Sequence, residues 1–353
     1  MSEGFYLRKT CRVCDSINIH KSFELTPSPP GNNFIKKEQL DSVESVFPLD
    51  LFFCEDCHHV QLGHVVDPSF LFQNNYSYVS ATSPVFVDHL SLYSDHISNL
   101  LDLNPSSFII DIGSNDGTCL SFFKKKGMNV LGVDPATEIA NNASKKGIET
   151  IPDFFSKHLA ADILSKYGKA NLITSHNACA HIDDLASVIE GVEVLLEQDG
   201  VFVMEVGYFL DVFQNKWFDT IYHEHVDFHT VGPLRFLFKR FGLEIFRVER
   251  ISPQGGSIRV MVQRVGGSRE EEQSVRDLIL LEESIGLNKR QTLKTFEDNI
   301  NTLRLEFKSL IKSLKQQGKS IAAFGAPTKA TTLCHYFDIN SSDIDFIVDD
   351  NPL

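Results

Sequence analysis

Two groups of residues in this sequence have the types and spacing that chemistry requires. Cys11 and Cys14 form one Cys-x-x-Cys pair, and Cys54 and Cys57 form a second. Each such turn aims two sulfurs at one point, and two turns together make the tetrahedral thiolate set that holds zinc. Four thiolates leave no coordination position open, so the predicted role is structural. A redox dithiol and two unrelated surface pairs are the alternatives. The neighbouring His58, His59 and His64 are spare candidate ligands, with ordinary surface histidines as the plainer reading.

The second group is Tyr222-His223-Glu224-His225, an acid and two bases inside the aromatic run from Gly207 to His229. In an extended segment, alternation turns Tyr222 and Glu224 to one face and His223 and His225 to the other. One histidine is then expected in a pocket and the second in packing. His-Glu-His has no third ligand at a metal spacing, so no catalytic metal is expected there. His176 and His181 follow the run Leu172-Ile173-Thr174; either faces a bound molecule, or one of them caps the next helix.

A third signal is a loop. Phe108 to Ile112 reads as a buried strand running into Asp111-Ile112-Gly113-Ser114-Asn115-Asp116-Gly117. Gly113 and Gly117 permit a sharp bend and close approach to a ligand. A second strand, Asn129 to Val133, ends in Asp134, where an acidic residue accepts ribose hydroxyls in doubly wound nucleotide sites. The loop lacks Gly-x-Gly-x-x-Gly, and Asn115 and Asp116 suit a cationic ligand better than a pyrophosphate, which needs bare amides at a helix start. S-adenosylmethionine is therefore expected in preference to NAD.

These side chains need a frame, and the chain is long enough to supply one. Its 353 residues, 42% hydrophobic and 23% charged, can bury two or three cores. A balance of 33 Lys and Arg against 47 Asp and Glu, net −14, has the wrong sign for gripping nucleic acid. The start, MSEGFYLRKT, has no signal-peptide core, and no stretch approaches the roughly 20 apolar residues of a membrane span. No membrane or nucleic-acid partner is expected, and the cytoplasm is the predicted compartment. Seven cysteines, an odd count, do not make a disulfide framework.

The organisation is predicted as three parts within an α/β class. Residues 1–75, divided by the turn cluster Thr26 to Asn33, form a small zinc-binding module. Residues 76–232 open with helical spacing over 83–103 and then alternate short buried runs with amphipathic stretches, the rhythm of a parallel Rossmann-like sheet. Residues 233–353 carry a helix, an antiparallel strand pair around Pro253-Gln254-Gly255-Gly256, long charged helices, and a final strand-turn-helix-strand unit. That last α/β domain is expected to be incomplete.

DIGSNDG, IYHEHVDF, the QGGSIRV strand, GAPTKATTL, IDFIVDDNPL and the paired cysteine knuckles together resemble the sugar C-methyltransferase family of deoxysugar biosynthesis, of the tetronitrose C-3 methyltransferase type. The resemblance covers nearly the whole chain. It implies structural zinc on Cys11, Cys14, Cys54 and Cys57. It also implies S-adenosylmethionine against Asp111, Gly113, Asn115, Gly117, Asp134, Asp153, Phe154, His176 and Asn177. A dTDP-linked 4-keto-6-deoxysugar is implied against Tyr76, His181, Tyr222, Glu224 and His225, with Arg259 as a candidate cation for its diphosphate. A monomer is expected. The 4-ketone acidifies the neighbouring carbon, so the expected chemistry is proton removal by a His or Tyr base and methylation of the enolate at C-3. The alternatives are C-5 methylation and an NAD-dependent nucleotide-sugar dehydrogenase or epimerase, which the absent Gly-x-Gly-x-x-Gly and Tyr-x-x-x-Lys disfavour.

Overall fold

The structure, a computed structural model, describes residues 4–32, 38, 44–73 and 78–349. Tyr76 lies outside the described residues. The first module contains β1 (Phe5–Leu7), β2 (Ile19–Ser28), β3 (Phe47–Cys54), β4 (Val60–Leu62) and β5 (His64–Val66). The two cysteine pairs flank β2 and β3, and the inner faces of these strands, including Phe23, Leu25, Leu49 and Leu51, are buried.

Helix α1 (Pro84–Leu100) starts on an N-cap, where the Ser83 side chain accepts from the Phe86 amide, with Pro84 in the first turn. Leu90, Tyr93 and Ile97 form its buried stripe. The chain then builds β6 (Phe108–Ile112), α2 (Thr118–Lys125), β7 (Asn129–Val133), α3 (Thr137–Lys145), β8 (Thr150–Ile151), α4 (Lys157–Tyr167), β9 (Ala170–His176), α5 (Leu185–Leu195) and β10 (Leu196–Gly207). Next come α6 (Phe209–Asn215), β11 (Asp227–Phe228), α7 (Val231–Arg240), β12 (Leu243–Ile251) and β13 (Ser257–Arg264). The chain continues with α8 (Gln273–Ile285), α9 (Arg290–Gln316), β14 (Ala322–Phe324), α10 (Thr328–Phe337) and β15 (Phe346–Val348).

The central sheet has seven strands in the order β12-β13-β10-β9-β6-β7-β8. The five strands from β6 to β10 are parallel, and β13 and β12 close the sheet antiparallel. Helices cover both faces, as parallel strands buried on both sides require. The strand pair expected at the start of a separate third domain is therefore an edge of this sheet. The reason is visible in β13, which is buried along seven of its eight residues and so needs cover on both faces. A boundary at residue 233 would cut through the sheet. What remains beyond it is a small parallel pair, β14 and β15, with α8, α9 and α10. Phe296 of α9 and Tyr336 of α10 pack their rings on Phe23 of β2.

One connection crosses between modules. The first module's four-stranded sheet has the order β11-β4-β3-β2, so its edge strand comes from the segment just after His225.

Candidate active site

In open parallel sheets ligands bind where the strand order reverses direction, which here lies between β6 and β9. The loop after β6 turns through left-handed Gly113 (φ 74°) and Gly117 (φ 78°). The amides of Gly113 and Ser114 donate to the Val133 carbonyl at 2.8 and 3.2 Å, which ties the loop to the end of β7. Asp134 then accepts from the amides of Asn115 (2.8 Å) and Ala136 (2.9 Å). Asn115 turns its side chain to the backbone of the preceding segment: its Oδ1 accepts from the Ser80 amide at 2.9 Å, and its Nδ2 donates to the Tyr78 carbonyl at 3.0 Å.

A cavity of about 1040 Å³ opens from this loop. Asp111, Gly113, Asn115, Asp134, Phe154, His176 and Asn177 lie on its wall. Gly117 is one turn away and caps α2, while Asp153 is exposed and accepts from the Phe154 amide. Asp111 is buried, and its Oδ1 has no partner among the described residues. Burial holds its carboxyl up to about 7, opposed by His176 and reinforced by Asp134 and Glu205. Burial likewise raises Asp134. Two buried acids on a cavity wall, one with a vacant oxygen, fit a ligand with an ammonium and a sulfonium centre, which is the chemistry of S-adenosylmethionine.

Beneath this floor runs a network of buried charges. Glu205 Oε2 accepts from His89 Nε2 (2.7 Å) and His176 Nδ1 (3.0 Å), and Oε1 accepts from Arg259 Nε (2.6 Å). Arg259 also donates to Glu249 at 2.8 Å. Burial opposes ionisation of Glu205, but its cationic partners hold it well below the usual carboxylate range. Burial also opposes the charge of His176, and Glu205 outweighs it, so His176 is raised. This corrects the expectation for Arg259: its charge is committed to two carboxylates, and it does not reach the cavity wall.

The same cavity reaches His181, Tyr222, Glu224 and His225. The predicted alternation fails because the segment is a turn, closed by the His225 amide donating to the Tyr222 carbonyl at 2.9 Å. The turn folds Tyr222 onto His225, with ring centroids 4.1 Å apart. His225 Nδ1 donates to the Thr220 carbonyl at 2.9 Å, so Nε2 carries the lone pair and accepts from the Tyr222 hydroxyl at 2.9 Å. His181 Nδ1 donates to the Glu224 carbonyl at 2.8 Å, and its ring lies 4.8 Å from that of His225. Burial lowers His225 to about 4; burial, and then His225, lower His181 to about 3. Both rings are neutral near pH 7. Burial raises Glu224 to about 7, against the pull of Asn32 Nδ2 at 2.8 Å. His223 does pack away, donating to the Phe47 carbonyl at 3.1 Å.

The cavity wall also holds residues not singled out in the sequence: Asn32, Trp217, Gln254 and Lys329. Asn32 sat in a turn cluster read only as a divider, yet its Oδ1 accepts from the Thr328 hydroxyl at 2.6 Å. Lys329 was legible in Gly325-Ala326-Pro327-Thr328-Lys329, which follows β14 and opens α10.

The four knuckle sulfurs lie within 4.8 Å of one another, with Cys11–Cys57 and Cys14–Cys54 each at 3.5 Å and no disulfide formed. That spacing suits four sulfurs at about 2.3 Å from one tetrahedral zinc. Both knuckles are the same turn. Cys11 and Cys54 carbonyls accept from the amides of Asp15 and His58, each in left-handed conformation just after the second cysteine. His59 is not a surface residue: it is fully buried and bonds Asp227 at 2.6 Å.

Comparison with known proteins agrees with this geometry. A zinc binding domain family matches residues 11–72, a methyltransferase domain family 87–248, and a C-methyltransferase C-terminal domain family 252–353. The chain is 32% identical over 343 residues to the C-methyltransferase NovU of Streptomyces niveus, covering 97% of this chain and 81% of that one. Among solved structures, an S-adenosylmethionine-dependent methyltransferase from Anabaena variabilis aligns at TM-score 0.43 and 18% identity, over 54% of this chain and 89% of its own. Magnesium protoporphyrin IX methyltransferase from Synechocystis, with bound S-adenosylmethionine, aligns at TM-score 0.37 and 15% identity, over 50% and 77%. At those scores the fold rests on the strand order described above. No helix among the described residues is long and apolar enough to cross a membrane. The chain belongs to the C-methyltransferase family: it is an S-adenosylmethionine-dependent enzyme with a mixed α/β fold and an N-terminal four-cysteine zinc module.

Proposed function

We propose that the methyl acceptor is C-3 of a dTDP-linked 4-keto-6-deoxysugar and that the Tyr222–His225 pair makes that carbon nucleophilic. The observation that carries this reading is the single cavity whose wall holds Asp111, Asp134, His181, Tyr222, His225 and Lys329 together. S-adenosylmethionine supplies a methyl group activated on a sulfonium. Carbon accepts it only as an enolate, so the protein must remove a proton beside the ketone and hold the charge that develops on oxygen.

His225 Nε2 takes the α-proton, and the Tyr222 hydroxyl turns from that nitrogen to the ketone oxygen as the proton leaves. The Thr220 carbonyl fixes the tautomer throughout. His181, anchored on the Glu224 carbonyl, closes the other side of the ketone, and Glu224 with Asn32 orients the sugar hydroxyls. Lys329 and the N-terminus of α10, also on the cavity wall, meet the diphosphate, the positive end of a helix favouring phosphate. Lys329 takes the part first given to Arg259.

The test is incubation with S-adenosylmethionine and the dTDP-4-keto-6-deoxysugar deuterated at C-3. The expected product gains one methyl group and loses that deuterium. Retention of the label with methylation elsewhere overturns the reading, and loss from a C-5-labelled substrate instead moves the reaction to C-5.

A further inference from the structure

We propose that Arg12, the residue inside the first zinc knuckle, is the positioning residue through which the zinc module fixes the geometry of His181 and His225. The inference deepens the reading of those side chains as the reacting groups and rests on it.

Arg12 stands between Cys11 and Cys14 and is 0% exposed. Its Nε donates to Asp183 Oδ1 at 2.8 Å, and its Nη1 donates to the carbonyls of Leu62 (2.7 Å) and Val226 (3.2 Å). Asp183 is two residues from His181, and Val226 follows His225. One guanidinium therefore touches both segments that carry the facing rings.

The two segments also brace each other. The Val226 amide donates to the Ala180 carbonyl at 2.8 Å, and the Leu62 amide donates to the Val226 carbonyl at 2.9 Å. Arg8 adds bonds to the Asp183 carbonyl and carboxylate at 3.1 Å, and Tyr6 donates to the same carboxylate. The backbone of Arg12 is itself clamped: its amide donates to Gln61 Oε1 at 2.8 Å, while Gln61 Nε2 donates to the Thr10 carbonyl at 3.0 Å.

A guanidinium is planar and its donors leave at fixed angles, so it transmits position in a way a lysine ammonium does not. It is also costly to bury without partners, so it does not drift from them. The knuckle holds the Arg12 backbone, and the side chain carries that fixed point to the two histidine segments. The four-cysteine module thereby sets the Tyr222–His225–His181 arrangement as well as its own fold. A displacement of about 1 Å in such a constellation is worth roughly a hundredfold in rate.

The experiment compares the full-length variants Arg12→Met, Arg12→Lys and Asp183→Asn with His225→Asn. Zinc content is measured by metal analysis, cofactor affinity by calorimetry with S-adenosylmethionine, turnover by methyl transfer, and the imidazole N–H protons by NMR of the cofactor-free protein. The expected result is unchanged zinc content and cofactor affinity within about threefold, with kcat falling by roughly tenfold to a hundredfold and broadened imidazole signals for His181 and His225. In the His225→Asn background, Arg12→Met is expected to cost less than it does in the wild type, because part of its effect passes through the His225 ring and the remainder through His181. Should Arg12→Met lose zinc or fail to fold, Asp183→Asn, which keeps the knuckle intact, decides. Full turnover in Asp183→Asn, or sharp imidazole signals in a zinc-loaded Arg12→Met, overturns the proposal. Full turnover in His225→Asn overturns the reading of the reacting groups instead.

Discussion

The Tyr222 hydroxyl donates to His225 Nε2 at 2.9 Å, while the Thr220 carbonyl holds the other nitrogen of the same ring. The pair is pre-set in one tautomer, with its lone pair and its acidic proton sharing a single bond beside the cavity.

Replacing His225 with Asn is therefore expected to lower kcat by about 10²–10⁴-fold, the range for losing a general base. Tyr222→Phe, which removes a donor to the forming enolate oxygen, should cost about 10²–10³-fold. Calorimetry should find S-adenosylmethionine affinity near normal in both, since both side chains are read as acting on the acceptor rather than holding the cofactor.

Cofactor affinity should depend on pH through Asp111. Its carboxyl is held up to about 7 by burial, so it is protonated and neutral below that pH and anionic above it. The dissociation constant should weaken as pH falls below about 7, by at most about tenfold per pH unit, and Asp111→Asn should flatten that slope. The sign for stability is opposite. A carboxylate raised in the folded state contributes stability that is present near pH 4 and lost as pH rises through 7. The cofactor-free wild type should therefore lose Tm relative to Asp111→Asn across that window, read by thermal denaturation.

Arg259 should prove structural. Arg259→Met leaves Glu205 buried beside two histidines with no arginine partner, a loss of about 3–5 kcal/mol for a broken buried pair. Denaturant unfolding should register it, with little change in KM for the nucleotide sugar.

Lys329→Met should act in the reverse manner, raising KM for the nucleotide sugar several-fold with kcat little altered. The effect should shrink in high salt as the charge is screened. Steady-state kinetics at two ionic strengths would check it.

The parts legible in the sequence were those governed by local rules. The two cysteine knuckles, the strand ending at Ile112, the left-handed glycines of its loop and the acid at Asp134 all follow from periodicity and short spacing. The parts that were not legible depend on contacts distant in the chain. Nothing local says that β13 lies against β10, and so Arg259 was given to the ligand when the sheet gives it to Glu205 and Glu249. His59 looked like a surface residue until β11 brought Asp227 against it. The alternation argument for Tyr222 to His225 assumed a strand, whereas the chain turns there and brings together two rings that alternation would have separated.

The pairing of β11 with β4 also bears on how the molecule is made. During synthesis the amino-terminal strands emerge first, but the outer edge of β4 stays open until Asp227 and Phe228 leave the ribosome. While residues 63–226 are made, the amino-terminal sheet therefore presents an unsatisfied strand edge to chaperones and to other nascent chains.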